Sequence, residues 1–396
     1  MDKIVHLKSG RERSLQRQHP WIFSGAVDHV TGDPGCGDTV HNLDSNGTYL
    51  ATGSYSPVSQ IRSRIWTWDA NDLIDSNFFR TKLDRAIRIR SMIMDPSISD
   101  AVRLVHGESD HLPGVVIDQY AGNLVIQVLS CGAERWRDCI VSILAEEIKP
   151  LMIYERSDVD VRKLEGLAKR EGLLWGTEPA EPIQISESGL KFLVDYKDGH
   201  KTGFYIDQRD NRQIVRSFAE GKDVLDCFCY SGGFTVSALA GGATSVTAVD
   251  SSGSAIELLK QNVQLNRLDQ SKLSSINGDV FKVLRTMRDS RRTFDLIILD
   301  PPKFAPTSAQ VSRATRAYKD INLLALKLLR PGGFLVTFSC SGGVSVELFQ
   351  KIIAGAALDA GVSVKIIQRL SQASDHPIAL NFPEGGYLKG ILAIKD

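Results

Sequence analysis

The chain has 396 residues, of which 42% are hydrophobic and 24% charged, a composition typical of a soluble globular protein with about two or three domains. Lysine plus arginine and aspartate plus glutamate both number 47, so net charge gives no support to a nucleic-acid partner and only local patches could bind one. The sequence has no apolar run of about 18 to 20 residues and no charged-then-apolar leader, so we expect a cytoplasmic protein without membrane contact.

The six cysteines, at positions 36, 131, 139, 227, 229 and 340, lack the spacing of a zinc site or a disulfide framework. We therefore expect reduced thiols and no structural metal. Cys227 and Cys229 stand in a C-x-C arrangement inside a glycine-rich turn, where a packing role is expected.

Residues 1 to about 72 contain short alternating runs such as Gln60 to Ile65, separated by turns such as Gly32 to Gly35. Short strands with frequent turns are typical of a small β-barrel. Basic residues also cluster beside two aromatic residues in this segment: Lys8, Arg11, Arg13, Arg17, Trp21 and Phe23. We expect this segment to hold RNA through phosphate pairing and stacking, although both aromatic residues would also suit a barrel core.

Residues 73–182 are predicted to form a compact α+β domain. Apolar residues at helical spacing predict a helix from Asn77 to Met94, and a second helix is predicted over 136–145. Strands are predicted at 101–105, 115–117, 124–129 and 151–154. The first helix has a basic face that includes Arg80, Arg85 and Arg88, which is either a second RNA-binding candidate or a solvated surface.

Residues 183–396 begin with a hairpin-like segment at 183–196 and then alternate apolar runs with helical patterns. Strands are predicted at 224–225, 246–249, 296–299 and 334–338, and a helix over 314–328 is expected to stop at Pro331-Gly332-Gly333. Alternation of this kind predicts a parallel sheet with crossover helices. The predicted fold class is therefore α/β, with this domain preceded by the small β-barrel and the α+β domain.

A glycine-rich turn from Asp226 to Phe234 follows one short buried strand and opens a helix. Gly232 and Gly233 allow a backbone to approach a ligand closely, and a helix start offers unpaired N–H groups. The turn matches neither G-x-G-x-x-G nor the Walker motif, so the motifs for dinucleotide and NTP phosphates are missing. Asp226, Tyr230 and the two glycines are therefore candidates to bind a nucleoside that has no phosphates.

Two further acids follow at the ends of successive predicted strands. Asp250 could accept both hydroxyls of a ribose, as an acid does in dinucleotide folds. Asp279 could accept a hydrogen bond from an adenine amino group, although each acid would also suit a helix N-cap. Acids in this order across a sheet edge favour S-adenosylmethionine as the cofactor.

Asp300 stands at the carboxyl end of an apolar strand, where open α/β sheets bind ligands. The segment Asp300 to Phe304 resembles the acid-Pro-Pro motif of base methyltransferases, in which a rigid turn and its acid meet the target base. N-methylases usually place an aromatic residue after the prolines, whereas Lys303 stands there in this chain. Transfer to C5 of a pyrimidine is the better interpretation, and it requires a thiolate that adds to C6.

Cys340 is the candidate thiolate. A second apolar strand would deliver Ser339 to Gly342 to the same sheet edge as Asp300 if the two strands are parallel. A strand-end loop could leave the thiol partly exposed, and a nearby Lys303 would stabilise its thiolate. The alternative for a lone cysteine is a small buried apolar residue.

The C5 proton must leave after methyl transfer, and its removal requires a base. Asp375, His376 and Glu384 are the candidates, in loops just before a final predicted strand. Surface polar residues would look the same in the sequence.

The chain resembles the ribosomal RNA large subunit methyltransferase I family over its whole length. The stretches that carry the resemblance are His19 to Gly25, Ser109 to Gly114, His200 to Arg209, Asp300 to Phe304, Phe338 to Gly342 and Tyr387 to Gly390. The resemblance implies a PUA-like RNA-binding domain over residues 1–72, a central α+β domain over 73–182 and a Rossmann-like methyltransferase domain over 183–396. It also implies formation of 5-methylcytosine in large-subunit (23S) rRNA, and places Gln208 at the cofactor site.

The chain departs from other RNA cytosine-C5 methyltransferases, which commonly carry acid-Ala-Pro-Cys with a cysteine that assists release. Lys303 stands at that position here, so another base must act. The motifs also resemble those of uracil-C5 RNA methyltransferases. Three alternative functions remain: a uracil-C5 RNA methyltransferase, an amino-directed N-methylase and a non-catalytic ribosome-assembly factor. The sequence also leaves undecided which nucleotide is modified, whether the rRNA substrate is protein-free or an early assembly intermediate, and whether the protein is a homodimer.

Overall fold

The computed structural model describes residues 2–304 and 311–396 and divides into two compact units. Unit 1 comprises the chain up to Ser186 together with residues 194–206 and 374–385. Unit 2 comprises residues 187–193, 207–373 and 386–396. The chain therefore passes from one unit to the other five times, after residues 186, 193, 206, 373 and 385.

The first sheet of unit 1 has six strands with one short helix after the first of them. The elements are β1 (Ile4–Leu7), α1 (Arg13–Gln16), β2 (Trp21–Phe23), β3 (Val27–Thr31), β4 (Thr39–Leu43), β5 (Tyr49–Tyr55) and β6 (Ile61–Thr67). The strand order is β2-β6-β5-β4-β1-β3. Val5 and Leu7 on β1 point into a buried cluster with Ile22, Val40 and Ile65, so the short alternating runs of the sequence supply the core.

The second sheet of unit 1 has five strands and three accompanying helices. The elements are α2 (Ser76–Ile93), β7 (Ala101–His106), β8 (Val115–Tyr120), β9 (Asn123–Val128), α3 (Cys131–Glu147), β10 (Met152–Ser157), α4 (Val161–Leu164) and β11 (Arg170–Gly176). The strand order is β11-β10-β9-β8-β7. Asp75 caps α2 and Ser130 caps α3 through their side chains. Four of these strands and the two long helices were predicted, whereas β11 was not.

The two sheets of unit 1 share part of one core. Trp66 on β6 is fully buried, and its ring lies edge-on to Phe79 of α2 with 5.1 Å between the ring centroids. Both belong to the apolar cluster that contains Ile117 and Ile126 of the second sheet. A cut between the sheets would therefore expose apolar surface on both sides.

A disulfide joins Cys36, in the loop between β3 and β4, to Cys131 at the first residue of α3. The expectation that all cysteines are reduced thiols is wrong for this pair, whereas Cys139, Cys227, Cys229 and Cys340 remain thiols. The partners are 95 residues apart, so no spacing motif reveals them. The bridge depends on the close tertiary approach of the loop to α3, which sequence spacing does not encode.

The hairpin β12 (Ile183–Glu187) and β13 (Leu190–Val194) precedes the second unit's sheet, as predicted. The sheet of unit 2 contains β14 (Asp223–Cys227), β15 (Ser245–Asp250), β16 (Leu273–Asn277), β17 (Phe294–Leu299), β18 (Leu329–Ser339), β19 (Val364–Leu370) and β20 (Lys389–Lys395). Its helices are α5 (Arg209–Ser217), α6 (Gly233–Ala240), α7 (Gly253–Leu265), α8 (Val280–Asp289), α9 (Val311–Leu328) and α10 (Val346–Ala360).

The seven strands of unit 2 follow the order β16-β15-β14-β17-β18-β20-β19. The first five are parallel to their neighbours, and β20 runs antiparallel to both β18 and β19. The predicted parallel sheet with crossover helices is therefore correct. The strand order reverses between β14 and β17, and ligands of open α/β sheets bind at the carboxyl edge near such a reversal.

Helix α9 ends at Leu328, close to the predicted stop at Pro331. Pro331 and the glycines after it instead lie within β18, where the pairing with β17 shifts register between Phe294 and Leu296. A bulge accommodates a proline that a regular ladder would not. Among the described residues, no helix is both long and apolar enough to cross a membrane.

Candidate active site

The turn between β14 and α6 holds an unusual backbone conformation. Phe228 and Tyr230 have positive φ angles of 63° and 46°, and Gly232 has a φ of 81°. Positive φ in a residue other than glycine costs on the order of 1 to 3 kcal/mol and persists only where surrounding contacts impose it. Tyr230 N donates to Oδ2 of Asp250 at 2.9 Å, which ties the turn to the end of the next strand.

The two glycines of this turn allow close helix packing. A Cβ at Gly232 would lie 2.5 Å from Cγ of Leu259 on α7, and a Cβ at Gly233 would lie 3.1 Å from Cδ of Arg212 on α5. Gly232 is therefore required both by its positive φ and by its neighbour. Contact of either glycine with a cofactor stays a prediction.

Asp250 ends β15 with its carboxylate partly exposed at the sheet edge. Oδ2 accepts from Tyr230 N and Oδ1 accepts from Ser252 N, both at 2.9 Å. Each carboxylate oxygen has two lone pairs, so the side chain is oriented by the backbone and retains acceptor capacity for ribose hydroxyls.

Asp279 is the N-cap of α8, the alternative that the sequence left open. Its Oδ1 accepts from Lys282 N at 2.9 Å, and the side chain is exposed. The proposed contact with an adenine amino group would use the remaining acceptor capacity and stays a prediction.

Asp226 lies fully buried in β14, one residue before the strand ends. Thr235 Oγ1 donates to its Oδ2 at 2.6 Å, whereas Oδ1 has no hydrogen-bond partner among the described residues. Burial raises the pKa of Asp226 to about 7. The Thr235 hydrogen bond lowers this pKa, whereas repulsion from Asp300 and Asp250 raises it further. Two carboxylates at this edge therefore raise the pKa of a third, buried carboxyl group.

This arrangement suits a cationic ligand. S-adenosylmethionine carries a sulfonium and an ammonium group, and a cation between mutually repelling carboxylates relieves that repulsion. No Walker or dinucleotide phosphate motif stands at the turn, so a nucleoside without phosphates fits. Asp250 would hold the ribose of such a nucleoside. The described residues contain no cluster of three or more side chains suited to a metal ion.

Gln208 orients Asp300. Its Nε2 donates to Oδ2 of Asp300 at 3.0 Å, and its Oε1 accepts from Nδ2 of Asn211 at 2.6 Å. Gln208 is buried, so its amide is held in this direction. The residue that the family resemblance placed at the cofactor thus contacts the acid of the proline turn.

The Cys340 loop meets the Asp300 loop. Strands β17 and β18 are parallel, with Leu299 opposite Thr337, so both loops leave the same sheet edge as predicted. The Cys340 thiol is partly exposed and directs its Sγ at the carbonyl oxygen of Pro301, 3.9 Å away. Lys303 lies exposed in the same proline turn.

A residue that the sequence analysis did not assign lies beside this loop. Lys389 on β20 pairs with Ser339 of β18, and its Nζ donates to the carbonyl oxygen of Ser341 at 2.9 Å. Ser341 Oγ also lies 3.0 Å from the hydroxyl of Tyr318 on α9. Lys389 belongs to the stretch Tyr387 to Gly390 that carries the family resemblance, but nothing in the sequence indicated a role for this residue.

The candidate bases His376 and Glu384 belong to unit 1, whereas Cys340 belongs to unit 2. His376 is buried with its Nδ1 3.0 Å from Oδ1 of Asp375. Glu384 Oε2 lies 3.3 Å from Nε2 of His19. The role of either residue as the base stays a prediction.

Cys227 and Cys229 are buried, as expected for packing residues. Burial raises the pKa of both thiols well above the usual value, and the Asp226 carboxylate adds to the rise. Neither thiol is therefore suited to be a nucleophile.

The basic cluster of the first sheet is exposed at every position, Lys8, Arg11, Arg13 and Arg17. Phe23 is 51% exposed, so the alternative of a barrel-core role is wrong for this aromatic residue. Trp21 is partly buried, and its ring centroid lies 4.9 Å from that of Phe382. Its Nε1 donates a hydrogen bond to Oε1 of Glu108 at 2.8 Å. Exposed cations and an exposed aromatic ring in the same segment of the chain suit contact with a nucleic acid.

The basic face of α2 is less available than its sequence indicates. Arg80 forms ion pairs with Glu146 and Glu147. Arg90 is buried and forms a two-point ion pair with Asp110, at 2.6 and 2.7 Å. Arg80 of the predicted face is therefore engaged within unit 1, as is the buried Arg90 of the same helix.

Comparison with protein families and solved structures agrees with this architecture. A family model described as S-adenosylmethionine-dependent methyltransferase matches residues 170–386, and a PUA-like domain model matches residues 5–68. The predicted PUA-like and Rossmann-like methyltransferase folds are thus confirmed, and the cofactor is S-adenosylmethionine.

Similar curated proteins cover nearly the whole chain. Proteins named ribosomal RNA large subunit methyltransferase I are 50% identical in Pseudoalteromonas translucida, over 99% of both chains, and 52% identical in Tolumonas auensis, over 99% of both chains. A solved chain from Streptococcus mutans, assigned as a SAM-dependent methyltransferase, has a TM-score of 0.86 at 24% identity over 100% of both chains. Another solved methyltransferase, in complex with SAH, has the same TM-score and identity over 99% of both chains.

Proposed function

Because the chain belongs to the ribosomal RNA large subunit methyltransferase I family, we propose that it methylates C5 of a cytidine in large-subunit (23S) rRNA. The observation that supports carbon chemistry is the approach of the partly exposed Cys340 thiol to the Asp300 turn at the cofactor edge. The relatives' name supplies the rRNA, and a cytoplasmic location follows from that substrate.

The proposed reaction is nucleophilic catalysis. The Cys340 thiolate forms a bond to C6, and the electron pair of the C5–C6 double bond moves to C5, which becomes nucleophilic. S-adenosylmethionine supplies the methyl group, which C5 takes from the sulfonium. A base then removes the C5 proton, the C5–C6 double bond forms again, and the sulfur leaves C6 with its electron pair.

The residues around the thiol have distinct roles in this proposal. Asp300, held by Gln208, accepts a hydrogen bond from the target base, and the proline turn sets the position of that base. Lys303 places an exposed ammonium beside the site. His376 and Glu384 remain the candidates for the base that takes the C5 proton.

A trapping experiment tests the mechanism. RNA that carries 5-fluorocytidine has no C5 proton to lose, so a protein–RNA adduct through Cys340 should accumulate in the presence of S-adenosylmethionine. Cys340→Ala should abolish the adduct and turnover, whereas Cys139→Ala removes a half-buried thiol of unit 1 and should leave both intact. Full methylation by Cys340→Ala would refute the C5 mechanism.

The same experiment separates the alternatives. A uracil-C5 enzyme would be trapped by 5-fluorouridine instead, and an amino-directed N-methylase would stay active without the thiol. A non-catalytic assembly factor would transfer no methyl group to any RNA. Mass spectrometry of rRNA nucleosides from cells with and without the gene identifies the product.

The RNA partner is proposed to be protein-free rRNA or an early assembly intermediate. Such RNA leaves the target base unpaired or accessible, which an active site that attacks C6 requires. Comparing naked rRNA with assembled subunits as substrates distinguishes these states. A homodimer is a further proposal, which sedimentation of the full chain checks.

A further inference from the structure

Lys389 is a buried lysine at the edge of the candidate active site. It is 7% exposed, and its Nζ donates to the carbonyl oxygen of Ser341, one residue after Cys340. Lysine is almost never buried without a partner, because removing its charge from water is costly. A neutral carbonyl offsets only part of that cost, so the position calls for an anionic neighbour.

Cys340 supplies that neighbour when its thiol is ionised. Burial lowers the pKa of Lys389, the ionised Cys340 raises it and the Lys303 ammonium lowers it. The interaction of two charges is shared by both groups, so a protonated Lys389 favours the thiolate of Cys340 to the same extent.

Other titratable groups around the thiol lie on neighbouring elements. Asp300 is oriented by Gln208, and burial raises the pKa of Tyr318, so its phenol stays neutral at physiological pH. Lys303 is exposed, and water screens its charge. The buried ammonium of Lys389 therefore acts on the thiol with less screening than that of Lys303.

We propose that Lys389 is a positioning residue that holds Cys340 as a thiolate and fixes the Cys340 loop through the Ser341 carbonyl. The inference rests on the proposed function, because addition of the thiolate to C6 is the step that it would serve. The ammonium keeps its proton throughout. The thiol proton leaves to water, and the electron pair that remains on sulfur forms the bond to C6.

The chain offers a matched control on the same strand. Lys395 also lies on β20, and its Nζ donates to the carbonyl oxygens of Leu326 and Leu329. Burial lowers the pKa of Lys395 as it does that of Lys389, but no cysteine contributes to the shift. Removing Lys395 therefore deletes a comparable ammonium without touching the Cys340 loop.

The test measures alkylation of Cys340 as a function of pH. The full-length protein, without RNA, is treated with iodoacetamide, and mass spectrometry follows the peptide that contains Cys340. Lys389→Met should raise the midpoint of the alkylation profile by about one pH unit or more, because a nearby opposite charge shifts a pKa by about 1 to 3 units. Alkylation at pH 7 should then slow by about tenfold or more, whereas Lys395→Met should leave the profile unchanged.

Lys389→Gln separates charge from anchoring, because its amide can still donate to the Ser341 carbonyl. The proposal expects the same raised midpoint in this variant, and a midpoint restored to the wild-type value would overturn the role in thiolate stabilisation. An unchanged midpoint in Lys389→Met would also overturn it. Calorimetric binding of S-adenosylmethionine identifies the variants that are folded. If Lys389→Met does not fold, the alkylation profile of Lys389→Gln alone decides whether Lys389 stabilises the thiolate.

Failure of the proposed function would give a different result. If Cys340→Ala still methylated RNA while Lys389→Met raised the alkylation midpoint, the thiolate would exist without the C5 mechanism. If Cys340→Ala were inactive and the midpoint did not move, the mechanism would stand and the role of Lys389 would fall.

Discussion

Thr235 donates a hydrogen bond to Oδ2 of Asp226 at 2.6 Å, and the carboxyl that it contacts is fully buried. Burial, followed by repulsion from Asp300 and Asp250, raises the pKa of Asp226 to about 7 in spite of this hydrogen bond. The charge of the buried group therefore changes close to physiological pH, beside the turn that is expected to hold the cofactor.

The contribution of Asp226 to the stability of the cofactor-free protein should fall as the pH rises from about 4 to about 7. Unfolded Asp226 ionises near its ordinary pKa of 3.8, whereas the folded protein keeps the proton up to about 7. The contribution is fully present below the lower pKa and is lost as the pH passes the higher one, with an upper limit on the order of 4 kcal/mol. Urea unfolding of wild type and Asp226→Asn at several pH values measures it.

In Asp226→Asn the free energy of unfolding should not show this fall between about pH 4 and about pH 7, because the amide does not ionise. The amide oxygen can still accept the hydrogen bond from Thr235. Asp269→Asn is the control, since Asp269 is exposed and caps a short turn of unit 2. Identical pH profiles for wild type and Asp226→Asn would show that another group carries the dependence.

Asp250→Ala should weaken S-adenosylmethionine binding by about 1 to 3 kcal/mol, the usual cost of losing hydrogen bonds to a charged group. The loss has two sources, the ribose hydroxyls and the hydrogen bond that orients Tyr230 in the turn. Calorimetry measures it, with Asp269→Ala as the control. Unchanged affinity in folded Asp250→Ala would remove Asp250 from the cofactor site.

Cys36→Ser should destabilise the protein by about 2 to 4 kcal/mol, because the bridge to Cys131 closes a long loop and restricts the unfolded chain. Wild type in a reducing agent should show the same loss, and Cys139→Ser, at a thiol outside the bridge, should not. Chemical unfolding with and without reductant measures both. Equal stability of oxidised and reduced wild type would contradict the bridge.

Arg11→Ala combined with Arg17→Ala should weaken RNA binding and flatten its salt dependence. Each phosphate that is no longer neutralised makes the slope of log affinity against log salt shallower by about 0.7 to 0.9. The matched control is the pair Lys163→Ala and Lys169→Ala, two exposed cations that pair with Asp160. Salt titrations of RNA binding measure the slope. An unchanged slope would move the RNA-binding surface to Arg85 and Arg88 of α2.

Point variants are better suited to this question than removal of the first 72 residues. Trp66 would be removed with that segment, although it lies in the core that surrounds Phe79 and Ile117. Weaker RNA binding after truncation could then reflect a damaged core rather than a missing RNA-binding surface.

Much of the fold follows from local patterns. Helix α2 was predicted over 77–94 and found at Ser76–Ile93, because its apolar residues repeat at helical spacing. The parallel pairing of β17 and β18 followed from alternating strands and helices. Strand β19 was missed although four of its seven residues are apolar, because those residues, Val364, Ile366, Ile367 and Leu370, do not alternate strictly with polar ones.

The placement of candidate side chains at strand ends was predictable, as for Asp250, Asp300 and Cys340, whereas their roles stay predictions. The candidate site was not predictable where it depends on contacts across the sheet. Lys389 reaches the Cys340 loop only because β20 returns antiparallel beside β18. The disulfide depends in the same way on a distant approach, between positions 95 residues apart.

The five crossings between the two units determine the order in which the segments of each unit become available during synthesis. Residues 374–385 belong to unit 1, yet they follow almost all of unit 2 in the chain. A ribosome releases the chain from its amino terminus, so unit 1 lacks its last segment until unit 2 is nearly complete. Unit 1 can therefore receive its last segment, residues 374–385, only after most of unit 2 has been synthesised.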